Sequence, residues 1–219
     1  MEGAVILLSG GMDSGVMLAW AKSRFSTIHA LSFDYGSKHA TKELLMAENL
    51  ARTYGAILTK VELPFVNTLF VSSLLESGEE IPDGPYRANS ISSTVVPFRN
   101  GIMLSVAVGY AETKQIPLVL IASHSGDHPI YPDCTEEFTN AFSQAATLGT
   151  FCKVRIEAPF AQYDKKKIAS IGRNLNFDFT QTWSCYKGKE LHCGTCATCL
   201  ERKYALGHAA GFDPTRYLE

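Results

Sequence analysis

The sequence predicts an α/β fold: a parallel sheet with helices on both faces, followed by a small C-terminal metal-binding segment. Three observations carry this. Short apolar runs alternate with helical patterns through the first half, as strands covered on both faces require. The first of these runs leads straight into Ser9-Gly10-Gly11-Met12-Asp13-Ser14 and then a helical pattern. Four of the six cysteines crowd between positions 185 and 199. A chain of 219 residues suffices for one sizeable domain with a small appendage, divided here as 1–180 and 181–219.

The elements follow in order. Residues 5–8 form a buried strand, and the amphipathic stretch 14–24 carries Val16, Met17, Ala19 and Trp20 at helical spacing. Residues 27–33 are a second strand. Ala40–Tyr54 is a helix with Leu44, Leu45, Ala47, Leu50 and Ala51 on one face. Residues 57–63 are a third strand. Residues 76–97 contain Gly78, Pro82, Gly84, Pro85 and Pro97 and read as a long loop, a candidate lid. A helix over 99–113 and a very apolar strand over 118–123 come next. Residues 135–147 are a helix, 152–157 a short strand, and Lys165–Asn174 a helix. Residues 196–210 are helical, with Gly211 as C-cap and Pro214 as a stop.

Composition narrows the function classes. Hydrophobic residues make up 46% and charged residues 19%, as in a well-packed globule. A net charge of -2 argues against a large nucleic-acid footprint. The apolar run near the N-terminus, residues 4–8, is too short for a signal-peptide core or a membrane span, so a cytoplasmic protein is expected. Cytosolic thiols stay reduced, which sets a disulfide framework aside.

The loop after the first strand has a chemistry of its own. Gly10 and Gly11 allow a sharp turn and close ligand approach. The free amides and dipole of the following helix favour an anion. The motif lacks the Gly-Lys-Ser/Thr of a Walker loop and the spacing of a dinucleotide loop. A simple turn with Ser14 as N-cap is the plainer reading. Ligands in parallel sheets bind beyond the carboxyl ends of the strands. Phe33-Asp34-Tyr35-Gly36 sits at the next such end, where an adenine fits, and residues 123–127 sit at a third.

Cys185, Cys193, Cys196 and Cys199 are spaced C-x7-C-x2-C-x2-C. Four thiolates so placed suit tetrahedral structural zinc with no vacant position. An iron–sulfur cluster, or reduced cysteines in a small core, are the alternatives. His192 is read as a neighbour, and Cys152 as core.

With SGGMDS, residues 96–100 (VPFRN), 131–138 (YPDCTEEF), 182–186 (TWSCY) and the cysteine cluster, the chain resembles the 7-cyano-7-deazaguanine synthase family of the N-type ATP pyrophosphatases. The resemblance implies an ATP-dependent ligase that turns 7-carboxy-7-deazaguanine and ammonia into the nitrile through adenylated intermediates. It implies ATP and Mg²⁺, one structural Zn²⁺ per chain, free or partner-supplied ammonia, no membrane, and a homodimer. Leu8, Ser9, Gly10, Gly11, Met12, Asp13 and Ser14, with Phe33 and Tyr35, match the nucleotide site. Asp13, Ser14, Arg99 and Lys165 are the expected catalytic residues, with Lys166 and Lys167 as competitors for the lysine role. Asp133 is the expected acceptor for the guanine-type edge, with Glu136 or Glu137 next and Tyr131 stacking on the ring. Asp133 as cap of the helix near Thr135 is the rival reading. Phe98 stands where glycine is frequent in the family, and Gly126-Asp127-His128-Pro129-Ile130 precedes Tyr131 where a Ser-Gly pair is common. The alternatives are a related ligase that stops at the amide or acts on another acid or tRNA, and a binding module that has lost catalysis.

Overall fold

A computed structural model describes residues 3–85, 92–126, 131–207, 211 and 213–218. Five strands, β1 (Gly3–Leu7), β2 (Thr27–Asp34), β3 (Ile57–Glu62), β4 (Leu118–Leu120) and β5 (Arg155–Glu157), form one sheet in the order β3-β2-β1-β4-β5. All four pairings are parallel. The order reverses between β1 and β4, and in open parallel sheets that crevice is where ligands bind.

Side chains alternate across each strand, and the sheet divides the core in two. Val5 and Leu7 face one layer, with Leu31, Phe33 and Leu104. Ala4, Ile6 and Leu8 face the other, with Val16, Leu50, Ile168 and Phe177. The second layer is covered by α1 (Met12–Lys22), α2 (Ala40–Tyr54) and a helix from the later part of the chain, Lys165–Asn174. After β3 comes a short helix, α3 (Pro64–Leu69). Sequence reading missed it, although Pro64 at its first turn is a helix-start signal. Further α-helices among the described residues include α4 (Arg99–Lys114), α5 (Glu136–Gly149), α6 (Lys165–Asn174) and α7 (Ala197–Ala205).

Strands β4 and β5 are shorter than the expected 118–123 and 152–157. β4 ends at Leu120, but Ile121 N still donates to Glu157 O at 3.0 Å, so the ladder to the neighbouring strand continues one residue further. The regular part of helix α7 runs to Ala205 and passes into a π turn at 206–207. Residues 208–210 lie outside the described residues, as do 86–91 of the expected lid and 127–130 before Tyr131.

Phe98 is the N-cap of α4 and holds a left-handed φ of 52°. That is the physical reason a glycine suits this position. Phe98 is held there by edge-on packing against Phe138, ring centroids 5.7 Å apart, and by Gly101, where a Cβ would lie 2.3 Å from the Phe98 ring.

Candidate active site

The loop after β1 is shaped by its own side chains. Gly11 is the N-cap of α1 and no side chain caps the helix, so its first amides face outward for a ligand. Ser9 N donates to Ser14 Oγ at 3.2 Å, Gly11 N donates to Ser9 Oγ at 3.2 Å, and the two hydroxyls lie 3.0 Å apart. Ser14 is therefore inside the first turn and not its cap. Gly10 has φ 84°, and a Cβ there would sit 2.1 Å from Glu43 O, so only glycine fits.

A single cavity opens at this loop and runs along the carboxyl ends of β1, β2 and β4. Leu8, Ser9, Gly11, Met12, Asp13 and Ser14 line one end; Gly10 is buried behind it. Lys165, the first residue of α6, also lines it, and its Nζ lies 2.8 Å from Glu201 Oε2 and 3.7 Å from Asp13 Oδ2. Its neighbours turn away: Lys166 lies over the Tyr204 ring at 4.2 Å. His124 Nε2 is 3.7 Å from Asp13 Oδ2. Asp13 Oδ1 is buried without a hydrogen-bond partner among the described residues.

The other end is aromatic and charged. Arg99, at the start of α4, donates from Nη1 to the Tyr35 hydroxyl at 3.0 Å. Tyr35 beside it, then Tyr186, holds the guanidinium firmly cationic. Phe33, Tyr131, Trp183 and Tyr186 also line the cavity. His39 and Glu43, one turn apart on α2, face it with Nε2 and Oε2 3.6 Å apart. Burial pushes the Glu43 carboxyl up to about 8, against the opposing pull of Arg99. Burial, then Arg99, pushes His39 down to about 4. Sequence reading missed this pair. The signal available was two polar residues on the first turn of an otherwise amphipathic helix, too common to single out.

Asp133, Glu136 and Glu137 lie elsewhere. Asp133 Oδ2 accepts from Asn100 N at 2.8 Å, so it caps the start of α4, the helix that carries Arg99. The cap of α5 is Thr135, whose hydroxyl accepts from Phe138 N at 3.1 Å. Glu136 bonds Gln162, and Glu137 is exposed. None of the three carboxylates lines the cavity, whereas Tyr131 and Cys134 do.

The four cysteines converge, with their Sγ atoms within 4.8 Å of one another. A zinc–sulfur bond of about 2.3 Å puts tetrahedral sulfurs ~3.8 Å apart, and Cys193 Sγ lies 3.8 Å from Cys199 Sγ. Gly194, at φ 75°, makes the turn between Cys193 and Cys196, and Cys196 N donates to Cys193 Sγ at 3.3 Å. The cluster could hold a metal. His192 is spoken for: its Nε2 accepts from Ser184 N at 3.1 Å, its ring lies 4.1 Å from that of Trp183, and burial pushes it down to about 4. The cysteine segment reaches the loop directly, because Trp183 N donates to Gly10 O at 3.0 Å.

The family model described as "Queuosine biosynthesis protein QueC" matches residues 3–210. The chain belongs to this family. It is 55% identical, over all of both chains, to the 7-cyano-7-deazaguanine synthase of Desulfotalea psychrophila. It is 50% identical to that of Porphyromonas gingivalis, over 98% of this chain and 96% of the relative. Among solved structures, NMN synthetase from Francisella tularensis superposes with a TM-score of 0.52 at 14% identity, covering 86% of this chain and 68% of that one, a likeness of fold. The cavity thus lies at the switch point of the sheet.

Proposed function

We propose that this QueC-family chain converts 7-carboxy-7-deazaguanine and ammonia to 7-cyano-7-deazaguanine at the expense of ATP. The observation that carries the reading is the single cavity joining an anion-ready loop to an aromatic, charged end. In the first half, a carboxylate oxygen attacks the α-phosphorus of ATP and pyrophosphate leaves. Ammonia displaces AMP from the acyl adenylate, losing a proton to give the amide. In the second half, the amide oxygen attacks the α-phosphorus of a second ATP and pyrophosphate leaves; loss of the two N–H protons and of AMP then gives the nitrile.

The residues divide this work. Ser9, Gly10, Gly11 and the first amides of α1 hold the phosphates, and Leu8, Met12, Phe33 and Tyr35 wall the nucleotide. Lys165 and Arg99 stabilise the charge that develops as pyrophosphate leaves. Tyr131 stacks beside the heterocycle. Asp133 acts one step back, fixing the helix that presents Arg99. The unpartnered Oδ1 of Asp13 fits Mg²⁺, which when bound neutralises phosphate charge. The spacing of the cysteine sulfurs fits one structural Zn²⁺. Buried walls keep water from the adenylates. A cytoplasmic homodimer is the assembly the resemblance implies; no helix among the described residues is long and apolar enough to cross a membrane.

The test is a mass-spectrometric product assay with 7-carboxy-7-deazaguanine, Mg²⁺-ATP and ammonium. Nitrile and AMP are expected. Amide alone would confine the reading to the first half-reaction, and neither product would overturn the substrate.

A further inference from the structure

Arg202 stands out among the charged residues of the cavity. It lines the loop end, yet it is only 1% exposed. Its Nε donates to Thr215 Oγ1 at 2.6 Å, Nη1 to Thr182 Oγ1 at 2.8 Å and Ser184 Oγ at 3.1 Å, and Nη2 to Phe179 O at 2.7 Å. All four acceptors are neutral. An arginine has five N–H donors, so one on Nη2 is left. No carboxylate lies within ion-pair distance of it among the described residues. Lys165 differs: Glu201 and Asp13 already offset its charge.

A buried charge without an opposite partner is costly and persists where something else repays it. The carboxylates of Asp213 and Asp13 act on it only from beyond ion-pair distance. Two further candidates to offset its charge are a ligand in the cavity and Cys199, one turn back on α7. The free N–H and the place on the cavity wall favour the ligand. We infer that Arg202 is an anion-binding residue of the cavity, supplying a positive charge, held in no ion pair among the described residues, that meets the phosphates of ATP. The inference rests on the ATP reading above and adds a contact from the C-terminal segment. Thr182, Ser184, Phe179 and Thr215 form a rigid holder, so the guanidinium is aimed before the ligand arrives.

The experiment is calorimetric binding of inorganic pyrophosphate, α,β-methylene-ATP and adenosine to the full chain, wild type and Arg202→Gln, with zinc content measured on both. Glutamine keeps part of the hydrogen bonding and removes the charge. Both phosphate ligands should weaken about 10- to 100-fold in the variant, as a lost charged hydrogen bond predicts, while adenosine is unchanged. Arg202→Lys should recover part of the loss. Equal pyrophosphate affinity in wild type and Arg202→Gln overturns the inference. If that equality comes with loss of zinc, the arginine serves the thiolates instead. A wild-type chain that binds neither phosphate ligand overturns the ATP reading itself. If Arg202→Gln does not fold, nitrogen-15 spectra of the wild-type guanidinium decide. A buried arginine signal that shifts on adding pyrophosphate supports the contact, and an unmoved one overturns it.

Discussion

The two ends of the cavity are built in different ways. The loop end is built on one run of consecutive residues, Ser9 to Ser14, whose backbone and hydroxyls hold one another, with Lys165 and Arg202 added from later segments. The aromatic end gathers Tyr35, Glu43, Arg99, Tyr131 and Trp183 from five separate segments. One end is a local conformation and the other a tertiary assembly. Substitutions should therefore act all-or-none at the first and by degrees at the second.

The strongest way to break the comparison is Gly10→Ala. A methyl 2.1 Å from Glu43 O, at φ 84°, cannot be accommodated without moving the loop. Strain of about 3 kcal/mol is expected, and equilibrium dialysis should read a fall in ATP affinity of 100-fold or so. Normal affinity would mean the loop is adaptable and the contrast false.

The next test compares neighbours on one helix. Lys165→Ala should slow pyrophosphate release about 10²- to 10³-fold. Lys166→Ala removes only a surface contact over Tyr204 and should leave the rate unchanged, at a stability cost of about 0.5–1 kcal/mol. Equal effects on steady-state rate would return the role to a shared basic face.

At the aromatic end, pH separates the buried pair. Glu43 is raised from 4.5 to about 8, so its neutral form suits the fold. Its contribution to stability is full below pH 4.5 and is lost as pH rises toward 8. His39 is lowered from 6.5 to about 4; its contribution is present above 6.5 and is lost as pH falls toward 4. Urea titrations of Glu43→Gln should lack the alkaline loss and keep the acid one. The difference from wild type between pH 5 and pH 8 should be about 2–3 kcal/mol, discounted for a carboxyl that is partly exposed. Parallel curves would show that Glu43 is solvated.

The smallest effect is expected from Phe98→Gly. Relief of the left-handed backbone, worth about 1–2 kcal/mol, opposes loss of the contact with Phe138, worth about 0.5–1.5 kcal/mol. Thermal unfolding should shift little. A large loss would make Phe98 a packing anchor of the site.

How much was legible follows the same division. Apolar runs and helical periodicity fixed the existence and type of the main elements, because burial on both faces of a sheet dictates composition. The loop and the cysteine cluster were legible because neighbouring residues in the chain do the work. Glu43, His39 and Arg202 were not, since their meaning lies in what faces them across the fold. The Asp133 reading shows the limit: a carboxylate near a helix start looks like a local cap or a ligand reader, and it caps a helix 33 residues earlier in the chain. By itself the sequence determined the covered parallel sheet, the glycine loop after the first strand and the four-cysteine cluster, all consequences of short-range spacing and hydrophobic burial. Only the tertiary structure decided which of three adjacent lysines enters the cavity, that His39 and Glu43 meet at its wall, and that Trp183 ties the cysteine segment to Gly10. Protonation and reach depend on desolvation and direction, and those exist only once distant segments have packed.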